Sequence, residues 1–315
     1  MKEIIFVLLA IAMLSGCTRI PAEVERKYAD ECSNPNPSWL FHSCWSTSLG
    51  STNAAILDGG NWDKWHVAYP ADSMSVTSTP PPGGPGGNAL KIHYSVIPTN
   101  PITGNDNWFS LNGDTGQPHA WMKDTNPIHI RIYWYSTWPL GAWYKGNYFG
   151  RKFIYLSDQK GVGATFVLGL YPYGNKQMKL VLKNHTFDTE YYNRKDSKHL
   201  DGTYAWPGQE DTGIIKPNTW YSIELGIYKH PTQGWVKLWK NGKLVINANK
   251  DVRGFRGTYD TSCGGNVSTW LRIPAFRNGG CDVANDEYFS HAVISNSYIG
   301  PVESVSDSNA PPAHP

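Results

Sequence analysis

Residues 218–246, NTWYSIELGIYKHPTQGWVKLWKNGKLVI, decide the fold class. Tyr221, Ile223, Leu225 and Ile227 alternate with Ser222, Glu224, Gly226 and Tyr228, the period-two pattern of a strand with one buried face. After the turn-forming run His230-Pro231-Thr232-Gln233-Gly234, a second strand begins at Trp235 and ends at Asn241-Gly242. That dipeptide suits a two-residue type I′ hairpin turn, whose central residues both need positive φ. Lys243 to Ile246 form the return strand, so the stretch is a β-meander. Trp235, Lys237 and Trp239 share the face opposite Val236 and Leu238; two indoles flanking a cation suit a sugar acid.

The same alternation recurs outward from the meander. Ile128, Ile130, Ile132 and Trp134 oppose His129, Arg131, Tyr133 and Tyr135, and Leu90, Ile92 and Tyr94 oppose Lys91, His93 and Ser95. Short strands are expected at 152–156, 164–170 and 179–182, with a closing strand within 287–298. The run STPPPGGPGG at 78–87 is a loop, because Pro removes backbone donors and Gly removes restraint. Residues 183–217 are polar and aromatic with little alternation, which reads as a functional loop. Many short strands and no convincing helical stretch give an all-β sandwich or barrel, and the absence of an internal repeat argues against a propeller.

Composition agrees. Hydrophobic residues make up 40% of the 315 and fill one large core, while 31 Gly, 22 Pro and 14 Trp suit turns and aromatic-rich strands. A formal charge of +2 gives no field for nucleic acid, although it leaves room for a local basic groove.

At the N-terminus Lys2 precedes an apolar run from Ile4 to Leu14, followed by Leu14-Ser15-Gly16-Cys17. This resembles the lipobox of bacterial lipoproteins, which implies cleavage before Cys17 and acylation of that residue. The apolar run is too short for a spanning helix of about 20 residues, so the only membrane attachment expected is the lipid anchor, at the outer membrane or cell surface. The expected organisation is a signal at 1–16, a lipidated tether and disulfide-stapled loop at 17–54, one domain at 55–301 and a disordered tail at 302–315. Export favours disulfides among the remaining cysteines. Cys32 lies near Cys44 in sequence and Cys263 near Cys281, which favours two local bridges, although three connectivities are formally open.

Several of these motifs, in this order, carry a family resemblance: Asp58-Gly59 before Trp62, His129-x-Arg131 with its aromatics, Lys152-Phe153-Ile154-Tyr155-Leu156, Asn218-Thr219-Trp220-Tyr221 with Asn241-Gly242, and Asn278-Gly279-Gly280 leading to Glu287-Tyr288-Phe289 and Ile299-Gly300-Pro301. Over residues 56–301 the chain resembles the concanavalin A-like jelly rolls, and within them the polysaccharide lyases that cut alginate or glucuronan. The resemblance implies a sandwich of two antiparallel sheets and an acidic polysaccharide partner. No cofactor is expected. Relatives of this kind usually carry Asp residues in the last strand, where a structural calcium would sit, and this chain has Ser290 and His291 there.

Glycosidases place two carboxyl groups across the scissile bond, but Glu190, Glu210, Glu224 and Glu287 include no two at strand spacing. A lyase instead needs a group to neutralise the uronate carboxylate, a base for the adjacent carbon and an acid for the leaving oxygen. On the lyase resemblance, Arg131 takes the carboxylate, His129 abstracts the proton and Tyr133 donates one. These residues stand about 6.5–7 Å apart along one strand face. Tyr135, Tyr171, Lys179, His185, Trp235, Lys237 and Trp239 are the expected substrate contacts. The reading is an envelope-anchored lyase of a uronate-containing polysaccharide; the alternative is a non-catalytic carbohydrate-binding lipoprotein on the same fold.

Overall fold

The computed structural model describes residues 31–52, 74–94, 110–111, 127–137, 151–157, 165–173, 177–185, 214–228, 235–248, 270–272 and 284–302. Its strands are β1 (Trp39–Ser43), β2 (Met74–Thr77), β3 (Ala89–Tyr94), β4 (Ser110–Leu111), β5 (Ile128–Ser136), β6 (Arg151–Ser157), β7 (Thr165–Tyr173), β8 (Gln177–His185), β9 (Ile214–Ile215), β10 (Tyr221–Tyr228), β11 (Trp235–Lys240), β12 (Lys243–Ala248), β13 (Trp270–Arg272) and β14 (Asn285–Ser295). They form two antiparallel sheets. One has eight strands in the order β12-β11-β10-β5-β14-β3-β2, with β1 also paired to β14, and the other has six in the order β4-β13-β6-β7-β8-β9. Because the chain passes between sheets after β3, β4, β5, β9, β12 and β13, this is a concanavalin A-like jelly-roll sandwich rather than two consecutive meanders.

The meander forms as its sequence requires. Tyr221 to Ile227 pair with Trp134 to Ile128 on one side, and Ile223 to Tyr228 pair with Lys240 to Trp235 on the other. Asn241 and Gly242 have φ of 50° and 76°, the two positive values of a type I′ turn. Gly242 is also required for space, since a Cβ there would lie 3.0 Å from Pro301 Cγ.

Register brings the apolar positions together across the eight-stranded sheet: Leu238 beside Leu225, Ile130 and Ile294, then Ile223 beside Ile132, and Tyr221 beside Trp134, Phe289 and Leu90. Ile130, Ile132, Ile223, Leu225, Phe289 and Leu90 are fully buried there, as Ile154, Leu168 and Leu180 are on the six-stranded sheet. Each such side chain contributes about 1.5–3 kcal/mol on leaving water, and these two faces make the sandwich core.

Two segments depart from the simple reading. The region expected as tether and stapled loop is indeed stapled by a Cys32–Cys44 disulfide, and it also supplies β1, which pairs with β14 from Trp39↔Ser295 to Ser43↔Ala292. The proline-rich loop at 78–87 is anchored, with Trp220 Nε1 donating to Pro81 O at 2.9 Å and Gly84 so close to the indole that a Cβ would meet it at 2.5 Å. Among the described residues no helix is long and apolar enough to cross a membrane. Cys17, Cys263 and Cys281, the expected start of the domain at residue 55, and the bulk of the 183–217 loop lie outside the described residues.

Candidate functional site

β5 presents two faces and both are buried. Opposite its apolar row, His129, Arg131 and Tyr133 are 5%, 1% and 0% exposed. They neither line an open groove nor face solvent. Their cover comes from the described segments 31–45 and 298–302, with Trp235 and Trp239 also against His129.

The cover is held by charge. The Arg131 guanidinium donates to Glu31 Oε1 through Nη2 and to Gly300 O through Nη1 at 2.9 Å. Its delocalised charge lies 5.8 Å from the Trp39 ring and 5.2 Å from that of Tyr133. Glu224, on the neighbouring β10, accepts from the backbone N–H groups of Ile299 at 2.9 Å and Gly300 at 2.8 Å, while its Oε1 sits 2.8 Å from His129 Nδ1. The 299–300 peptides are thus clamped by an anion at their N–H groups and a cation at a carbonyl. Tyr133 OH accepts from Val302 N–H at 2.6 Å, and burial pushes the phenol's pKa up to about 12. In this structure the face on which His129, Arg131 and Tyr133 were expected to meet the polymer is occupied by segments 31–45 and 298–302.

A bulge in β14 adds a further ionisable group. Ser290 faces Tyr133 and Val293 faces Arg131, so one extra residue is inserted, and His291 takes φ +46°. Its Nδ1 is 3.1 Å from Glu31 Oε2 and its Nε2 3.3 Å from Cys32 Sγ. Burial lowers the His291 pKa, with the Arg131 charge acting in the same sense, against the pull of Glu31. Burial alone would raise Glu31; the His291 hydrogen bond and the Arg131 charge outweigh it and hold the carboxyl below its ordinary value.

At the edge of the same face the sheet is more open. Trp235, Lys237 and Trp239 of β11 are each partly exposed and Tyr298 is 41% exposed. The Trp239 and Tyr298 rings are 4.9 Å apart, and Lys237 Nζ lies 4.9 Å from the Trp235 ring centre. Gly226 makes the floor, because a Cβ there would meet His129, Trp235 and Trp239 at 2.9–3.0 Å. Tyr135 belongs to a separate cluster, 5.4 Å from Trp220 and 5.8 Å from Tyr288. Burial raises its pKa.

The carboxylates settle one question. Glu224 pairs in register with Arg131 on the polar face, whereas Glu287 lies opposite Ser136 on the core face and accepts from Trp134 Nε1 at 3.0 Å. They occupy opposite sides of one sheet and cannot flank a glycosidic bond. Glu190 and Glu210 lie outside the described residues.

The other expected contacts, Tyr171, Lys179 and His185, sit on the six-stranded sheet. Leu168 on β7 and Leu180 on β8 are buried, and Tyr171, Lys179, Lys183 and His185 stand at the alternate backbone positions of those strands. Across those positions Arg272 pairs with Tyr155, Tyr155 with Val167 and Val167 with Lys183, and Tyr171 is directly opposite Lys179. A register shift after Lys152 sets that residue opposite Gly169, on the same face. None of β4, β6, β7, β8, β9 or β13 contains an Asp or Glu. Sequence reading singled out Tyr171, Lys179 and His185 but missed Lys152, Lys183 and Tyr155. The signal was available in the absence of carboxylates from 151–157, 165–173 and 177–185. Glu31 and His291 carried no local signal.

No protein-family profile matches the chain, and no curated protein does. Among solved structures it is similar to a cellulose-induced protein (13% identity, 74% of this chain and 95% of that one, TM-score 0.40) and to a sialidase (12%, 82% and 19%, 0.42). It is also similar to a family 7 alginate lyase in complex with substrate (11%, 67% and 80%, 0.37). The chain spans about a fifth of the sialidase, and these likenesses carry no statement about chemistry.

Proposed function

We propose that the chain is an envelope-anchored lyase of a uronate-containing polysaccharide, attached through acylated Cys17 and acting on the polymer with the outer face of its six-stranded sheet. The observation that carries this is the register that sets Lys152, Lys179, Lys183, Arg272 and His185 on one face of a sheet whose strands hold no carboxylate. A net charge of +2 hides that asymmetry. Strands about 4.8 Å apart and residues about 6.5–7 Å apart along a strand space these cations on the scale of successive sugar units, and a row of like charge on strands without a carboxylate favours a polyanion.

Within this face the directly opposed pair Tyr171 and Lys179 supplies an ammonium for the uronate carboxylate and a phenol for proton transfer, the two functions β-elimination needs most. The sequence-derived assignment to His129, Arg131 and Tyr133 is the competing version of the same chemistry. The partly exposed Trp235, Trp239 and Tyr298 favour the second reading, a non-catalytic glycan-binding lipoprotein, since aromatic faces stack on sugar rings.

The test offers the full chain to alginate, glucuronan and a neutral glucan, following binding and absorbance of the unsaturated product. Tyr171→Phe is expected to abolish product while retaining binding, and Lys183→Ala to weaken binding more at low salt than at high. Product formation unaffected by Tyr171→Phe but lost in a folded Arg131→Lys variant would return the chemistry to β5. Binding without product from the unmodified chain would establish the second reading.

A further inference from the structure

The network beneath the N-terminal segment holds ligand chemistry that a polysaccharide function does not use. Cys32 Sγ, Cys44 Sγ and a ring nitrogen of His291 lie within 4.8 Å of one another, and the two sulfurs are joined as a disulfide. His291 is fixed there at a backbone cost. A φ of +46° is uncommon for a residue with a Cβ, the bulge that imposes it re-aims one side chain, and such strain persists where the surroundings over-determine it. The side chain so placed is an imidazole, a donor type that suits zinc, with a carboxylate on one ring nitrogen, sulfur beside the other and the Gly86 backbone as a further hydrogen-bond partner.

We propose that, once the Cys32–Cys44 disulfide is reduced, Cys32, Cys44 and His291 Nε2 bind a zinc-class divalent cation, with Glu31 as the carboxylate that orients the imidazole through Nδ1. Two thiolates and an imidazole are the donor types zinc selects, and three protein ligands leave a fourth position open. Bond lengths of about 2.3 Å to sulfur and about 2.0 Å to nitrogen put such donors roughly 3.5 Å apart on a tetrahedral metal. The 3.3 Å between Cys32 Sγ and His291 Nε2 already approaches that separation. The Glu31–His291 contact at 3.1 Å has the form of the carboxylate–histidine pairs that fix the ligating tautomer in metal sites. Charge also balances. Two thiolates neutralise the dication, and Arg131 neutralises Glu31, so the buried assembly carries no net charge, the condition under which burying ions costs least.

Disulfide and metal exclude each other. A dithiol reductant transfers two electrons and two protons to the Cys32–Cys44 bond, giving two thiols and its own disulfide; the cation then displaces the two thiol protons. In the oxidised state the bond closes the segment that covers β5 on itself; in the metal-bound state the same two sulfurs would also tie it to His291 of β14.

The experiment titrates Co²⁺ into the full chain, oxidised or reduced with an excess of dithiol that is then removed. Expected are one equivalent with a thiolate-to-cobalt charge-transfer band that the Cys32→Ser/Cys44→Ser variant lacks, no such equivalent in the oxidised chain, and at least tenfold weaker binding in His291→Asn. Asn accepts positive φ and so keeps the bulge. Comparison with the double serine variant removes any contribution from Cys17, Cys263 and Cys281. An identical cobalt band in that variant, affinity unchanged by His291→Asn, or loss of the β-sheet circular dichroism on reduction would each overturn the proposal.

Discussion

The polar face of the eight-stranded sheet has two regions built from the same alternation and used in opposite ways. At its centre, on β5 and β14, Arg131, His129, Tyr133 and His291 are buried beneath segments 31–45 and 298–302, with Trp235 and Trp239 also against His129, and every one of them engages a residue of those segments or Glu224. At its edge, on β11, Trp235, Lys237 and Trp239 stay partly open beside Tyr298. What separates them is cover. The centre receives Glu31, Trp39 and the 299–302 backbone, groups able to satisfy a cation, an anion and a phenol, while the edge receives one tyrosine. A polar stripe on a strand therefore identifies a demand for partners, and the partners' location decides whether it becomes a site or a fastening.

The sharpest way to break this contrast is to remove the cation at the centre. Arg131→Ala leaves Glu31 without its cation in a largely buried place, and removing one member of a buried pair costs about 3–5 kcal/mol. Lys237→Ala, at the edge, is expected to stay within about 0.5 kcal/mol. Urea unfolding of the two variants under non-reducing conditions measures the difference; equal midpoints would show that the centre is no more structural than the edge. In a double-mutant cycle, Glu31→Ala should cost much less in the Arg131→Ala background than alone, since the two share one interaction.

A smaller effect follows from protons. The folded pKa of His291 lies below the ordinary 6.5 and that of Glu31 below the ordinary 4.5. For both, the unfolded chain binds the proton more readily, so their contribution is present above the unfolded values and is lost as pH falls. Stability is expected to decline first as pH drops below about 6.5, where His291 begins to take up a proton and charge on unfolding, and again below 4.5, where Glu31 begins to take up a proton and lose its charge on unfolding. Urea midpoints of His291→Asn should show the upper part of this acid limb flattened, and those of Lys237→Ala should follow the unmodified chain. An upper limb unchanged in His291→Asn would assign it to groups outside the cluster.

The comparison also marks what the sequence could disclose. β10 to β12 and β5 were legible because their information is local: alternation names the buried positions, and Asn241-Gly242 names the turn. Proximity in the chain likewise pointed to the Cys32–Cys44 bridge. The occupancy of the polar face was not legible, because Glu31 reaches Arg131 across 100 residues and His291 across 260, with no periodicity linking them. The bulge at His291 adds one residue to a strand whose alternation otherwise continues, and Ser290-His291 registers in sequence only as a departure from the family pattern. On the six-stranded sheet the missing step was collective. Each lysine alone reads as a solvated residue, and only the register of β6, β7 and β8 shows that Lys152, Lys183 and Lys179 share a face.

The edge supplies the smallest and most selective prediction. Trp239→Ala removes a ring that contacts Tyr298 and His129 at centroid distances of 4.9 and 5.5 Å, so some stability is lost. The His129–Glu224–Gly300 arrangement beneath it keeps its own hydrogen bonds. If the aromatic edge stacks on sugar rings, each indole is worth about 0.5–1.5 kcal/mol beyond its buried area, which lowers polysaccharide affinity by roughly two- to tenfold per tryptophan. Trp235→Ala should match it, and Lys237→Ala should weaken a polyuronate but leave a neutral glucan unaffected. Isothermal titration of the three variants decides the matter: affinities unchanged in all of them would make the edge, like the centre, a packing surface, and would leave polysaccharide binding to the basic face of the six-stranded sheet.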